Sequence, residues 1–163
     1  MFDSVVMACH ALQALALLQT PSELERQVLG ALQTSANHIK LHTDSSVLPR
    51  RPAARASWNY HLNAGSASAT VTYHMNRLQS LDTPEDYLVT LNDTNTVKNG
   101  AVLKQMTYDH PLYTAEAMKA QRRWSEISNA DRIHYCGAYW FNGFHEDGLN
   151  SALRVARNFG IEW

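Results

Sequence analysis

Cysteine is scarce in this sequence of 163 residues: Cys9 and Cys136 are the two present, far apart and in no CxxC spacing. Neither a disulfide framework nor a zinc site is supported, and a reducing cytoplasm is the default compartment. Seven glycines, at 30, 65, 100, 137, 143, 148 and 160, include no pair two residues apart, so the phosphate-cradling GxGxxG turn is absent. Neither sign of charge dominates. Fourteen Lys and Arg against 15 Asp and Glu give a net charge of -1, which provides no electrostatic signature for a nucleic acid or an anionic membrane surface. The longest apolar stretches, such as 11–18 with Gln13 inside it, fall well short of the roughly 18 residues a membrane span needs. The N-terminus has no basic flank and no small-residue cleavage site of a secretory signal. What is present is 45% hydrophobic residues in a chain of one-domain length, enough to build a core.

Periodicity organises the chain. Val5, Val6, Met7 and Ala8 read as a short buried strand, and Leu12, Leu15, Ala16 and Leu18 follow at helical spacing. Ser22 with Glu25 three positions on is the capping-box pattern, ahead of a Leu24, Val28, Leu29, Leu32 stripe, which predicts a helix over 22–32. From Asn37 to about Thr107 the pattern turns to short segments rich in Val, Thr, Tyr and Trp, predicting strands over 39–43, 55–62, 69–75, 87–91 and 103–108. Asn99-Gly100 and the Gly65 region of 63–68 read as turns. After Pro111, Thr114 caps a helix running to about Glu126, a strand follows over 132–139, and a last helix over 145–159 ends at Gly160. The resulting class is α+β, a mixed β-sheet with flanking helices.

The segment from Tyr135 to Leu153 carries the most chemistry. A strand ends at Gly137-Ala138, the aromatic loop Tyr139-Trp140-Phe141-Asn142-Gly143-Phe144 follows, and a helix starts at His145-Glu146-Asp147. That order aims free helix-start N–H groups at whatever fills the loop, a setting for an electron-rich ligand edge such as a carbonyl oxygen or phosphate. Gly137 and Gly143 permit close approach of backbone to a flat ligand, with Trp140 and Phe144 to wall it in. The plainer reading of the same residues is a strand, a loop and an amphipathic helix with core aromatics.

This segment resembles the C-terminal flavin-contacting motif of the FAD-dependent amine oxidase superfamily. The stretches 2–10, 48–51, 56–61, 73–79 and 108–111 extend the resemblance to one bacterial branch, the predicted NAD/FAD-binding oxidoreductases often associated with cyclopropane-fatty-acid synthases. It covers essentially the whole chain, with several separate motifs in order. The resemblance implies an FAD-binding part with a Rossmann-like sheet and a substrate part on a mixed sheet. Residues 1–131 are then mainly the substrate-side region, with residues 1–20 open to assignment to the FAD side, and 132–163 are the terminal strand and helix of the FAD-binding domain. Because the family's GxGxxG unit is absent, these residues read as the C-terminal portion of a longer oxidoreductase. Alone, they are expected to lack stable FAD binding and turnover.

Residue by residue, Gly137 and Ala138 match the family's strand end beside the ribityl chain, although Ala138 stands where an acidic residue is usual. Gly143 and Phe144 match the Gly-aromatic pair at the flavin face. His145, Glu146 and Asp147 match the helix start facing the flavin pyrimidine edge, a role for backbone rather than side chains. Glu146 and Asp147 also have an ordinary reading as acids favoured by the helix dipole. Trp58, Tyr60 and Tyr73, with Trp140, are the expected substrate-side aromatics, suiting an apolar or lipid-like small molecule; a packed sheet core is the competing reading. Asn76 and Arg77 are candidate orienting groups at a strand end. No lysine matches the water-binding lysine of many amine oxidases.

Two other constellations are weaker. Cys9-His10, and Cys136 with His134, invite a thiol nucleophile, but both cysteines sit in apolar strand ends. His38 and His42 lie in a predicted strand, not at helical metal-ligand spacing, and no metal site is expected. A different class of function is a free-standing α+β binding or oligomerisation module for an apolar ligand or partner. The isolated chain is expected to self-associate through the exposed helix 145–159 and strand edge.

Overall fold

The computed structural model describes residues 2–62 and 69–162; the turn expected within 63–68 lies outside them. In chain order the elements begin with β1 (Val5–Met7), α1 (Ala11–Leu17), α2 (Glu23–Ala31), β2 (Thr34–His42), β3 (Trp58–Leu62), β4 (Ala69–His74) and α3 (Met75–Leu78). They continue with β5 (Leu88–Leu91), β6 (Val102–Pro111), α4 (Ala115–Arg122), α5 (Trp124–Ile127), β7 (Ile133–Tyr135) and α6 (His145–Ala156). The class is α+β, as expected, but parallel and antiparallel pairing fall into separate sheets. A parallel β1-β7 pair stands apart from a five-stranded sheet of order β3-β4-β5-β2-β6, antiparallel at every pairing whose register is given below. No helix among the described residues is long and apolar enough to cross a membrane.

The chain divides into two compact units, Met1–Ser35 with Pro111–Trp163, and Ala36–His110. The segment 132–163 shares its unit with the N-terminal 35 residues, of which 1–20 were open to assignment to the same side, because β7 pairs with β1 in the register Val5↔Ile133 to Met7↔Tyr135.

In the unit built from both chain ends, α2 starts as its capping box predicts: Ser22 Oγ accepts from Glu25 N–H and Glu25 Oε2 accepts from Ser22 N–H at 2.8 Å. Val28 and Leu29 are fully buried with Ala14, Ile127 and Tyr135. Tyr135 carries polar groups into this core and pairs them. Its hydroxyl donates to Glu25 Oε1 at 2.6 Å and its carbonyl accepts from Trp124 Nε1 at 2.7 Å. Burial alone raises the Glu25 pKa, but its Tyr135 and Ser22 donors outweigh that and hold it below the ordinary value. The Arg154 guanidinium lies 3.7 Å over the Trp124 ring, closing α6 onto α5.

Three expectations change here. The helix from Thr114 is capped as expected, Thr114 Oγ1 accepting from Ala117 N–H, but it breaks at Arg123 into α4 and α5. The break presents Trp124 to the β7 carbonyl. The strand expected over 132–139 is only β7, because Arg132 has φ 64° before it and Gly137 has φ 152° after it. The last helix is regular to Ala156 and finishes in a 3₁₀ turn, with Gly160 at φ 71° as its left-handed stop.

In the other unit, strands lie where the Val/Thr/Tyr pattern puts them, with shifted ends. β2 begins at Thr34, β3 at Trp58, and Met75 opens α3 rather than ending β4. Asn99-Gly100 forms a 3₁₀ turn entering β6 instead of a hairpin, since β6 neighbours β2 and not β5. Registers Trp58↔Tyr73, Tyr60↔Val71, Asn59↔Thr72 and Thr72↔Thr90 sort the side chains onto two faces. The buried face is polar: Thr70, Thr72, His74, Thr90 and His42 are all at most 5% exposed, and Leu88, Leu48 and Val97 are buried in the same unit. The aromatic face is open at β3, with Trp58 at 49% and Tyr60 at 66% exposure, and closed at β2, where Ile39 is 5% exposed. The packed-core reading of these aromatics therefore does not hold.

Lys40 Nζ sits 2.7 Å from Asp93 Oδ2, and the Asp93 side chain is 1% exposed. Burial works to raise the Asp93 pKa, but Lys40 and the Thr96 donors overcome it and bring it from 3.8 to about 2. Such a depressed carboxylate stabilises the fold fully above the unfolded value and loses that contribution as pH falls through the folded one. We expect Asp93→Asn to cost about 2 kcal/mol in urea unfolding at pH 7, and the gap from the parent chain to close between pH 4 and 2. An unchanged gap at pH 2 would show that the ion pair is not its source.

Candidate functional site: a cleft at the parallel strand ends

Parallel strands β1 and β7 end side by side, with Cys136 N–H donating to Met7 O at 3.0 Å. Beyond their carboxyl ends lies an open cleft of 300 Å³ lined by Cys9, His10, Gly137, Ala138, Tyr139 and Gly143 among others. Crevices outside the carboxyl ends of parallel strands are where open α/β sheets place ligands.

Local backbone chemistry builds this cleft. Gly137, at φ 152° and ψ 155°, has the Tyr139 ring so close that a Cβ would collide with it. Its N–H donates to Ser151 Oγ at 2.7 Å, and Ser151 in turn donates to Gly148 O at 2.9 Å, stitching the strand end to α6. Residues Ala138–Trp140 turn as a 3₁₀ helix, and Gln121 Nε2 holds the turn from α4 through Tyr139 O at 2.8 Å and Phe141 O at 2.6 Å. Gly143, at φ 90°, has Tyr113 Oη where its Cβ would be. Both glycines are thus demanded by the protein's own tyrosines.

Gly137, Ala138 and Gly143 are brought together at the cleft. Phe144 is 63% exposed and precedes α6, whose first residues are His145, Glu146 and Asp147. Asp147 Oδ2 accepts the Phe144 N–H at 3.0 Å, so this acid caps the helix. Trp140, expected at a substrate wall, is 2% exposed inside the core beside Tyr139, with ring centroids 5.3 Å apart. Trp58, Tyr60 and Tyr73 lie on the open face of the five-stranded sheet, Trp58 and Tyr73 meeting edge-on at 5.7 Å. Asn76 is used structurally, accepting from Tyr87 N–H at 2.7 Å and donating to Glu85 O at 2.8 Å.

Sequence reasoning missed Tyr139. It lines the cleft, and its buried hydroxyl, like the Trp140 Nε1, has no hydrogen-bond partner among the described residues. Burial raises the Tyr139 pKa far above the phenol range, so the group is an O–H donor at any physiological pH. Gln121, Ser151 and Tyr113 were equally illegible, since their roles come from elements distant in sequence. Burial first, then nearby Cys9, pushes the Cys136 thiol pKa up, away from thiolate. No cluster of three or more His, Cys, Asp or Glu among the described residues suits a metal ion.

Fold and cleft together define an α+β protein with a ligand-sized crevice at parallel strand ends. No protein-family model matches the chain, and no curated protein matches it either.

Ser151→Ala should test the stitching of the cleft. It leaves the Gly137 N–H without an acceptor, for an expected loss of about 1–3 kcal/mol in denaturant unfolding. Ser151→Thr, which keeps the hydroxyl, should lose less; equal losses would mean that packing rather than the hydrogen bond is at stake.

Proposed function

We propose that this chain is the C-terminal portion of an FAD-dependent oxidoreductase of the amine oxidase superfamily, contributing the substrate-side sheet and the helix start that faces the flavin pyrimidine edge. The observation that carries the reading is the β7, Gly137, 3₁₀ turn, Gly143 and α6 sequence at the parallel strand ends, with the unpartnered Tyr139 hydroxyl in the cleft wall. The part of the site that suits the ring end of FAD is the start of α6, where Asp147 accepts the Phe144 N–H and the following amides are free. The cleft does not fit the pyrophosphate, because the space at both glycines is taken by Tyr139 and Tyr113 and no GxGxxG turn is present.

FAD, when bound, supplies hydride acceptance. Phe144 stands exposed at the start of α6 and is not among the residues lining the cleft, and the α6 start favours negative charge at the edge it faces. Asp147 caps that start through Phe144 N–H and leaves the next amides available to a ligand. The open aromatic strip of Trp58, Tyr60 and Tyr73 binds an apolar or lipid-like small molecule and excludes water from it.

The test is to read the source DNA upstream of the Met1 codon and to purify the protein it encodes joined to this chain. The expected result is an in-frame strand-GxGxxG-helix unit and a yellow protein that releases FAD on denaturation. A stop codon directly upstream with its own ribosome-binding site overturns the reading, as does a 1:1 FAD complex of this chain that survives gel filtration.

The second reading, a binding or oligomerisation module, rests on an apolar groove of 240 Å³ formed by Val6, Cys136, Ala152, Val155, Phe159 and Ile161 with Ala156. Under it the chain associates with itself. Light scattering should then show dimers or larger species at high concentration and monomers for Ile161→Glu; a monodisperse parent monomer would exclude this role for the groove.

A further inference from the structure

The polar face of the five-stranded sheet opens on a separate cavity of 370 Å³, whose walls include Leu48, Arg50, His61, Thr70, Thr72 and Thr96. Its size falls within the range of small-molecule sites, about 300–1,000 Å³. It is wholly within residues 46–96, against the face of the sheet opposite Trp58 and Tyr73, with Tyr60 also among its lining residues.

A directed chain of hydrogen bonds ends in this cavity. Asp44 N–H donates to His42 Nδ1 at 3.2 Å, which makes Nδ1 an acceptor and leaves the ring proton on Nε2. Nε2 therefore donates to Thr90 Oγ1 at 2.7 Å. Thr90 is 1% exposed, and among the described residues the other oxygen within reach of its hydroxyl is Thr72 Oγ1 at 2.9 Å. Were Thr72 the donor, the buried Thr90 hydrogen would have no acceptor, so Thr90 donates and the Thr72 hydrogen is the end of the chain. Thr72 is 4% exposed and lines the cavity, where no acceptor among the described residues takes that hydrogen.

The rest of the wall points to the same ligand chemistry. Asn59 is spent, accepting from Ala56 N–H at 3.0 Å and donating to Ala56 O and Thr72 O. Thr70 donates to Asn92 O at 3.1 Å. Both acids nearby are engaged: Asp44 accepts from Ser46 and Lys98, and Asp93 from Lys40 and Thr96. Arg50 and His61 make no hydrogen bond or ion pair with other described residues, so the cavity presents unmatched donors and positive charge beside the apolar Leu48. We propose that this cavity binds a small monocarboxylate with an apolar body, its carboxylate taken by the Thr72 hydroxyl and the Arg50 guanidinium.

The test uses butyrate and 4-phenylbutyrate as probes on the full chain, with 4-phenylbutan-1-ol as the uncharged control, by calorimetry and amide chemical shifts. Saturable binding by at least one carboxylate, shifts centred on Thr70, Thr72 and Thr96, and at least tenfold weaker binding of the alcohol are expected. A hydrogen bond to a charged group is worth about tenfold or more in affinity. Thr72→Val should lose about that factor, and Thr72→Ser should recover it. Since Thr72→Val also strips Thr90 of its acceptor and can unfold the sheet, Arg50→Gln at an exposed position is the second variant, with the same expected loss. No binding by either carboxylate, equal binding of the alcohol, or indifference to Arg50→Gln would overturn the proposal.

Discussion

The parallel pairing of Val5–Met7 with Ile133–Tyr135 joins segments from opposite ends of the chain, and the rest of the terminal unit is assembled on it. Closing so long a loop has an entropic cost that three residue pairs of a two-stranded sheet cannot offset by themselves. The offset comes from Tyr135, which is fully buried and reaches two helices at once, α2 through Glu25 and α5 through Trp124. Moving the register by one residue would turn Tyr135 to the other side of the pair and break both links. The same register sets the cleft, because it determines that Cys9 and Gly137 leave the strands side by side.

The Ala36–His110 unit solves a different problem, that of a sheet whose packed face is made of threonine and histidine. Buried polar groups cost free energy unless each finds a partner, and here partners run across the sheet from His42 to Thr90 to Thr72, and to residues flanking β5, Thr70 to Asn92 and His74 to Asp86. This network leaves His74 Nδ1 and the Thr72 hydrogen without partners among the described residues, and on the opposite face Trp58 and Tyr60 stand exposed. Exposed aromatics beside a packed polar face are the reverse of the usual arrangement, and this supports the binding role proposed for them.

Much of the helical framework was legible. Ser22 and Glu25 announce α2 because a capping box is closed within four residues, and Gly160 ends the last helix because a left-handed residue is needed there. Strand locations in the middle of the chain were legible for the same reason, since β-branched and aromatic content is a local property. The full division of the chain was not: 1–20 could be read as joining 132–163, but that residues 21–35 and 111–131 belong with them came only from the fold. At the candidate site, the order strand, glycine, aromatic loop, glycine, helix was readable, whereas Tyr139, Ser151, Gln121 and Tyr113 entered only through contacts made across long sequence separations.

Local sequence by itself determined the α+β class, the helix caps and stops, and the alternation that separates Trp58 and Tyr60 from Asn59 and His61. Alternation says that two faces exist and is silent on which is buried, because either face can be covered by whatever loop folds over it. Tertiary structure alone decided that the threonine and histidine face is the covered one, that Trp140 lies in a core rather than at a surface, and that the glycines at 137 and 143 yield to tyrosines of the same chain. These are outcomes of packing between residues remote in sequence, where burial and hydrogen-bond satisfaction are settled jointly by several elements and by none of them separately.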